Sequence, residues 1–199
     1  MNRFIQVNCT EGGKVDLRQS RAVMKYKPDI IFLEYPTSTP GKNIIEPPGL
    51  SKSSIEKYPW IGSDVYMWRN IKELRRNGYP MAVYGVDGPS DLVKKANIYP
   101  CNNKYPEKTA NLFWWVRIYL RERFMARNIK RILKKYTGNK NPVILVFLQS
   151  FHWDHVKFLL SRPSRRKVWN FYFGRFKDFN SRNASKILKV EDKTLFKYW

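Results

Sequence analysis

Six apolar residues in a row, Val143 to Leu148, constrain this chain more than any other stretch. The run is rich in β-branched types, follows Gly138, Asn139 and Pro142, and stops at Gln149-Ser150. A run of that length between turn residues reads as a strand buried on both faces, which is what a parallel sheet covered by helices requires. Beyond it come His152, Asp154 and His155 and a second apolar segment, Val156 to Leu160, which Asp154 is placed to cap as a short helix. A buried strand thus hands polar groups to the carboxyl edge of a sheet, where open α/β sheets bind ligands. The plainer alternative is that His152 only closes the turn.

Earlier segments repeat the pattern. Phe4 to Val7 reads as a strand leaving through Asn8-Cys9-Thr10-Glu11-Gly12-Gly13, and Asp16 opens a helix that Pro28 ends. Ile30 to Leu33 follows as a second strand with Glu34 at its exit, which makes a βαβ unit with parallel strands. A Pro-rich stretch, 36–60, lies where it can cover the sheet edge. A helix from Ser63 to Asn77, stopped by Gly78, then leads to a third strand, Met81 to Val86, and the turn Asp87-Gly88-Pro89. Thr109 to Tyr136 carries apolar residues at helical spacing and is the longest helix. The tail offers Val168 to Phe173 as an edge strand. The predicted fold is α/β, a three-layer domain with a mostly parallel central sheet flanked by helices, over 1–160, with a basic C-terminal extension over 161–199.

Charge separates the two halves. The chain has 38 Lys+Arg against 16 Asp+Glu, net +22; residues 1–100 hold 15 basic and 10 acidic residues, residues 101–199 hold 23 and 6. A field of that size attracts polyanions, although a solvated surface is the plain reading of any basic face. Two cysteines, Cys9 and Cys101, supply neither a disulfide framework nor a metal cluster. The opening residues, MNRFIQVNCTEGGK, lack an apolar core of signal-peptide length and no run approaches a transmembrane span, so a soluble, cytoplasmic protein is expected.

Strand exits bring Glu11, Glu34, Asp87, and Gln149 with His152 to one sheet edge. Two carboxylates and a histidine (Glu11, Glu34 and His152) are competent ligands for a divalent metal or a general acid/base set, and the residues leave both open.

Arg121-Glu122-Arg123-Phe124-Met125-Ala126-Arg127-Asn128 resembles the helical R-D-R-x-M-A-E-N signature of erythromycin-esterase-like proteins and the E-R-D-x-x-M-A segment of TraB-type proteins. VFLQSFHWDHV is similar to the strand-then-histidine segment of those families, with His152 on the histidine. VNCTEGG resembles the G-E-x-T-H-G turn, KPDIIFLE the strand ending in glutamate, and VYGVDGPSDL the third-strand aspartate segment. The resemblance runs in order over residues 4–160 and points to the erythromycin esterase, TraB and ChaN-like (Tiki-type) superfamily. It implies a hydrolase of a small-molecule or peptide substrate with Glu11, Glu34, Asp87, Arg121, Arg123 and His152 as its catalytic set. Glu11 or His152 would position water, and an arginine would pair with Glu34 or stabilise developing negative charge. In the Tiki-type branch the turn histidine helps to hold a metal.

The chain departs from that pattern twice: Glu11 stands where the family has its turn histidine, and Gln149 where it has another. Two lost histidines also describe a scaffold that has given up catalysis. The competing expectation is therefore a non-catalytic protein that binds nucleic acid or a ribonucleoprotein. Arg162, Arg165, Arg166, Lys167 and Arg175 would hold phosphates, with Trp169 and Tyr172 available to stack on bases.

Overall fold

The computed structural model describes residues 3–7, 17–35, 43–44, 61–89, 91–93, 107–179 and 182–191. Its elements in chain order are β1 (Arg3–Gln6), α1 (Arg18–Tyr26), β2 (Ile30–Leu33), α2 (Ile61–Arg76), β3 (Ala82–Gly85), α3 (Glu107–Lys135), β4 (Val143–Phe147), α4 (Ser150–Leu160), α5 (Arg165–Phe173) and α6 (Ala184–Glu191). The four strands form one sheet in the order β1-β4-β2-β3, and every pairing is parallel. The fold is the three-layer α/β class that the apolar runs predict. β1 and β2 are parallel but not neighbours, because β4 enters between them.

The apolar run of β4 lies in that central position. Leu145 and Phe147 point to a core shared with Ile31, Leu33 and Val83 of the sheet and with Ala22 and Val23 of α1 and Met67, Trp68, Ile71 and Leu74 of α2. The connections from β1 to β2 and from β2 to β3 run the same way across the sheet, and α1 and α2 share this face. Alternate residues of the same strands face the other side of the sheet. Ile30, Phe32, Ile144 and Val146, which alternate with the first set, are all fully buried there. On the same face Trp153 of α4 packs on Phe4, ring centroids 5.5 Å apart.

Asp29 fastens the strand entrances. Its Oδ2 accepts from the Val143 N–H at 2.7 Å, its own N–H donates to Val143 O at 2.9 Å, and its carbonyl accepts from Ala82 N at 2.9 Å. Ahead of it α1 ends at Lys27 in the left-handed region (φ 42°), and Pro28 cannot continue a helix. β3 is an edge strand, and its open side is used. Asn43 Oδ1 accepts from Val83 N at 2.8 Å, and Ile44 N donates to Val83 O at 2.7 Å. Two residues of the Pro-rich stretch thus occupy an edge that would otherwise present unpaired backbone groups.

Three local expectations are corrected. Residues 168–173 are helical, within α5, and not an edge strand. Ser164, in extended backbone, caps α5 by accepting the Lys167 N–H at 3.4 Å. α5 buries Tyr172 and Phe173 and leaves Arg165, Arg166 and Lys167 exposed. α4 begins at Ser150, so Asp154 is an interior residue of that helix; it pairs with Lys157 at 2.9 Å on an exposed face. α2 begins at Ile61, so Ser63 is inside it rather than capping it.

By compactness the chain divides into two units. One comprises Met1–Tyr35, Thr39–Val86 and Arg131–Trp153; the other comprises Pro36–Ser38, Asp87–Lys130 and Asp154–Trp199. The first contains the sheet and the α1–α2 layer. The second has its own core, in which Leu92, Phe113, Val116 and Leu120 meet Tyr172, Phe173, Phe176, Phe179, Ala184 and Leu188. Residues 161–179 and α6 are therefore part of a packed core. No helix among the described residues is long and apolar enough to cross a membrane.

Candidate functional site

Four residues of the expected catalytic set fall into two pairs. Glu34 and His152 belong to the first unit, Asp87 and Arg121 to the second; Glu11 lies outside the described residues.

Glu34 follows β2, and Gln149 follows its neighbour β4. The Glu34 N–H donates to Phe147 O at 3.2 Å, which continues the ladder one step past the strand. Its carboxylate then reaches the start of α4: Oε2 accepts from Gln149 N at 3.0 Å, and Oε1 is 4.0 Å from His152 Nε2. A carboxylate there satisfies an N–H that the helix cannot pair and meets the positive end of the helix dipole. His152 is almost wholly enclosed, its side chain 4% exposed. Local chemistry thus makes Glu34 the cap of α4, the role sequence reasoning gave to Asp154. Of the three expected metal donors, Glu34 and His152 are the two described. Among the described residues no three His, Cys, Asp or Glu side chains are grouped to hold a metal ion.

Asp87 and Arg121 form a buried pair. Arg121 Nε donates to Oδ1 at 2.9 Å and Oδ2 at 3.1 Å, and Nη2 donates to Oδ2 at 2.6 Å. Oδ1 also accepts from Gly88 N at 2.7 Å, and Asn128 Nδ2 donates to Asp87 O at 3.2 Å. Arg121 and Asn128, seven residues apart on α3, share a helix face and together hold the turn after β3. With side chains 6% and 0% exposed, both charges of the pair are enclosed. Arg121 therefore pairs with Asp87 at the turn after β3, where the pair has a structural part in fixing the chain. Met125 and Ala126, which carried the motif resemblance with them, are core residues of the same helix.

Sequence reasoning missed a third group. Glu122 is fully buried; its Oε1 and Oε2 lie 2.9 and 3.0 Å from His155 Nδ1, and Tyr172 donates its hydroxyl to Oε2 at 2.6 Å. Burial first, and the adjacent Glu122 carboxylate second, raise the Tyr172 hydroxyl above its ordinary pKa. The signal was available: Glu122 stands three residues after Tyr119 and seven before Ile129, on the apolar stripe of α3. A carboxylate on a buried stripe requires donors. Tyr172, expected to stack on bases, is buried in this network and does not reach the surface.

The remaining basic and aromatic residues take different positions. Arg162, Arg165, Arg166, Lys167 and Arg175 are all exposed, and no acidic residue interrupts 162–177. Arg175 lies over the Trp115 ring, 4.0 Å from its centroid. Arg123, half-buried on α3, and Arg165, at the start of α5, line a cavity of about 530 Å³. Tyr119, Trp169 and Phe173 give that cavity an aromatic wall, and Pro163 and Val168 complete the lining. Trp169 is supported from behind by Phe179, stacked at 5.4 Å and 22°.

Compared with protein-family models, with curated proteins and with solved structures, the chain matches none. The family resemblance over residues 4–160 rests on its short motifs alone.

Proposed function

We propose that this protein binds nucleic acid through the exposed basic residues of its second unit. The observation that carries this reading is the acid-free run 162–177, in which Arg162, Arg165, Arg166, Lys167 and Arg175 are all exposed. Three of them occupy the first turn of α5, which holds no acidic residue. Cations at that end oppose the helix dipole. A phosphate backbone supplies the negative charge that the helix start lacks, and each phosphate neutralised releases counterions. The test is affinity for a labelled oligonucleotide measured across a range of salt concentrations. Binding should weaken steeply, and replacing Arg165, Arg166 and Lys167 together with Gln should lower the magnitude of the log–log salt slope by about 2 to 3. Affinity that stays flat with salt, or a slope unchanged in the triple variant, overturns the reading.

A second, hydrolytic reading is what the family resemblance implies, and one observation favours it: Glu34 and His152 meet at the exits of two adjacent strands. Its test is turnover of generic ester and peptide substrates, with and without added divalent cations. Activity that disappears in Glu34→Gln, in a protein that still folds, supports hydrolysis; absence of turnover in the unsubstituted protein removes it.

A further inference from the structure

We infer that the cavity between α3 and α5 is a nucleotide site that takes one unpaired base together with its phosphate. The inference rests on the nucleic-acid reading and adds to it a preference for single strands. Its volume, about 530 Å³, lies within the roughly 300–1,000 Å³ typical of small-molecule sites. Two guanidinium groups alone would suit any anion, and an apolar lining alone would suit any hydrocarbon. Here Arg123 and Arg165 come from different helices and share one concavity with Tyr119, Trp169 and Phe173. That combination fits a ligand with a flat π-face at one end and negative charge at the other.

The aromatic wall is built to stay in place. Phe179 stacks behind Trp169 at 5.4 Å, Phe173 adjoins it at 5.0 Å, and Tyr119 meets Phe173 edge-on at 5.5 Å and 82°. Rings fixed by packing provide stacking area with little ordering entropy left to lose. Arg162, Arg166 and Lys167, exposed beside the cavity residues in sequence, continue the positive surface past it, as a strand longer than one nucleotide needs. A base paired within a duplex cannot enter such a site without leaving its stack. A base in a single strand can.

The experiment compares ligands on the intact chain. Titration calorimetry would use adenosine 5′-monophosphate, uridine 5′-monophosphate, ribose 5-phosphate and inorganic phosphate; a binding assay at one salt concentration would use a single-stranded and a duplex oligonucleotide of equal length. The mononucleotides should bind about ten-fold or more tightly than inorganic phosphate and ribose 5-phosphate, and the single strand should exceed the duplex by a similar factor. Val168→Phe, which adds bulk to the lining and removes no cation, should abolish both preferences and leave the salt dependence intact. Arg123→Gln should weaken mononucleotide binding in a protein whose circular dichroism is unchanged. If single strand and duplex bind equally and mononucleotides bind no better than phosphate, the cavity inference is wrong, whereas salt-dependent binding would keep the basic-surface reading. If mononucleotides bind and strands do not, the cavity is a free-nucleotide site and the nucleic-acid reading falls.

Discussion

Tyr172 donates its hydroxyl to Glu122 across 2.6 Å, joining α5 to the middle of α3 inside the second unit. His155 of α4 reaches the same carboxylate at 2.9 Å. Three helices thus meet at one buried carboxylate. Removing one donor should leave the charge underserved. Tyr172→Phe keeps the ring and deletes the bond, and hydrogen bonds to charged groups contribute about 1.5–3 kcal/mol. Chemical denaturation should therefore show a loss of about 2 kcal/mol. Glu122→Gln should be at least as damaging, because an amide must then orient one acceptor among two donors and bury its own N–H groups. A loss below about 0.5 kcal/mol in Tyr172→Phe would mean that the network is not formed.

The same hydroxyl sets an alkaline limit. Burial, and then the Glu122 charge, raise its pKa above the ordinary value of 10.0. When pH passes about 10 the unfolded chain loses this proton while the folded chain keeps it, so the folded state is disfavoured from there upward. Below pH 10 the contribution is complete. For this group the stability should fall by about 1.4 kcal/mol per pH unit above that point. Unfolding measured from pH 8 to pH 11 should show a steeper alkaline decline in the unsubstituted protein than in Tyr172→Phe. Parallel curves would show that Tyr172 ionises equally in both states.

The Asp87–Arg121 pair makes a contrasting prediction, since neither partner reaches solvent. Removing one partner of a buried pair costs about 3–5 kcal/mol, because the other charge stays behind. Replacing both with apolar residues of similar volume is often neutral. Arg121→Met and Asp87→Leu should accordingly each be severely destabilised, and the double variant should lose less than the sum of the two. Asn128→Ala, which gives up one bond to the Asp87 carbonyl, should lose about 1 kcal/mol. If the two losses simply add, the residues do not act as a pair.

The sheet could be read from the sequence because its signal is local. Val143 to Leu148 and Ile30 to Leu33 are apolar, rich in β-branched residues and bounded by turn residues, and Gly78 marks a helix stop, here with φ 83°. Strand order has no local signal, so nothing in β4 announces that it enters between β1 and β2. The tail misled for another reason. Aromatics interleaved with basic residues over 165–176 suggested period-two alternation, yet Trp169, Tyr172, Phe173 and Phe176 are spaced by three, one and three, a helical pattern. Around Arg121 the arginines match a motif, but the residue out of place is Glu122, a carboxylate on the apolar stripe. Trp169, Arg123 and Arg165 were each singled out for charge or stacking, but their convergence on one cavity depends on helix packing that no spacing encodes.

Glu34 provides the last contrast, because its two candidate roles predict different losses. As the cap of α4 it accepts the Gln149 N–H at 3.0 Å, and deletion of an N-terminal cap costs about 0.5–2 kcal/mol. Glu34→Ala should then be destabilised by about 1 kcal/mol, and Glu34→Gln by less, since an amide oxygen can still accept while the charge at the positive helix end is lost. Asp154→Ala, the cap expected from sequence, should change stability by under about 0.5 kcal/mol: its only described ion pair, with Lys157 at 2.9 Å, is exposed. The ordering Glu34→Ala, then Glu34→Gln, then Asp154→Ala, read from urea midpoints, is what capping requires. A stabilised Glu34→Ala would point the other way: a residue kept for chemistry at the expense of the fold, which is the signature of a working site.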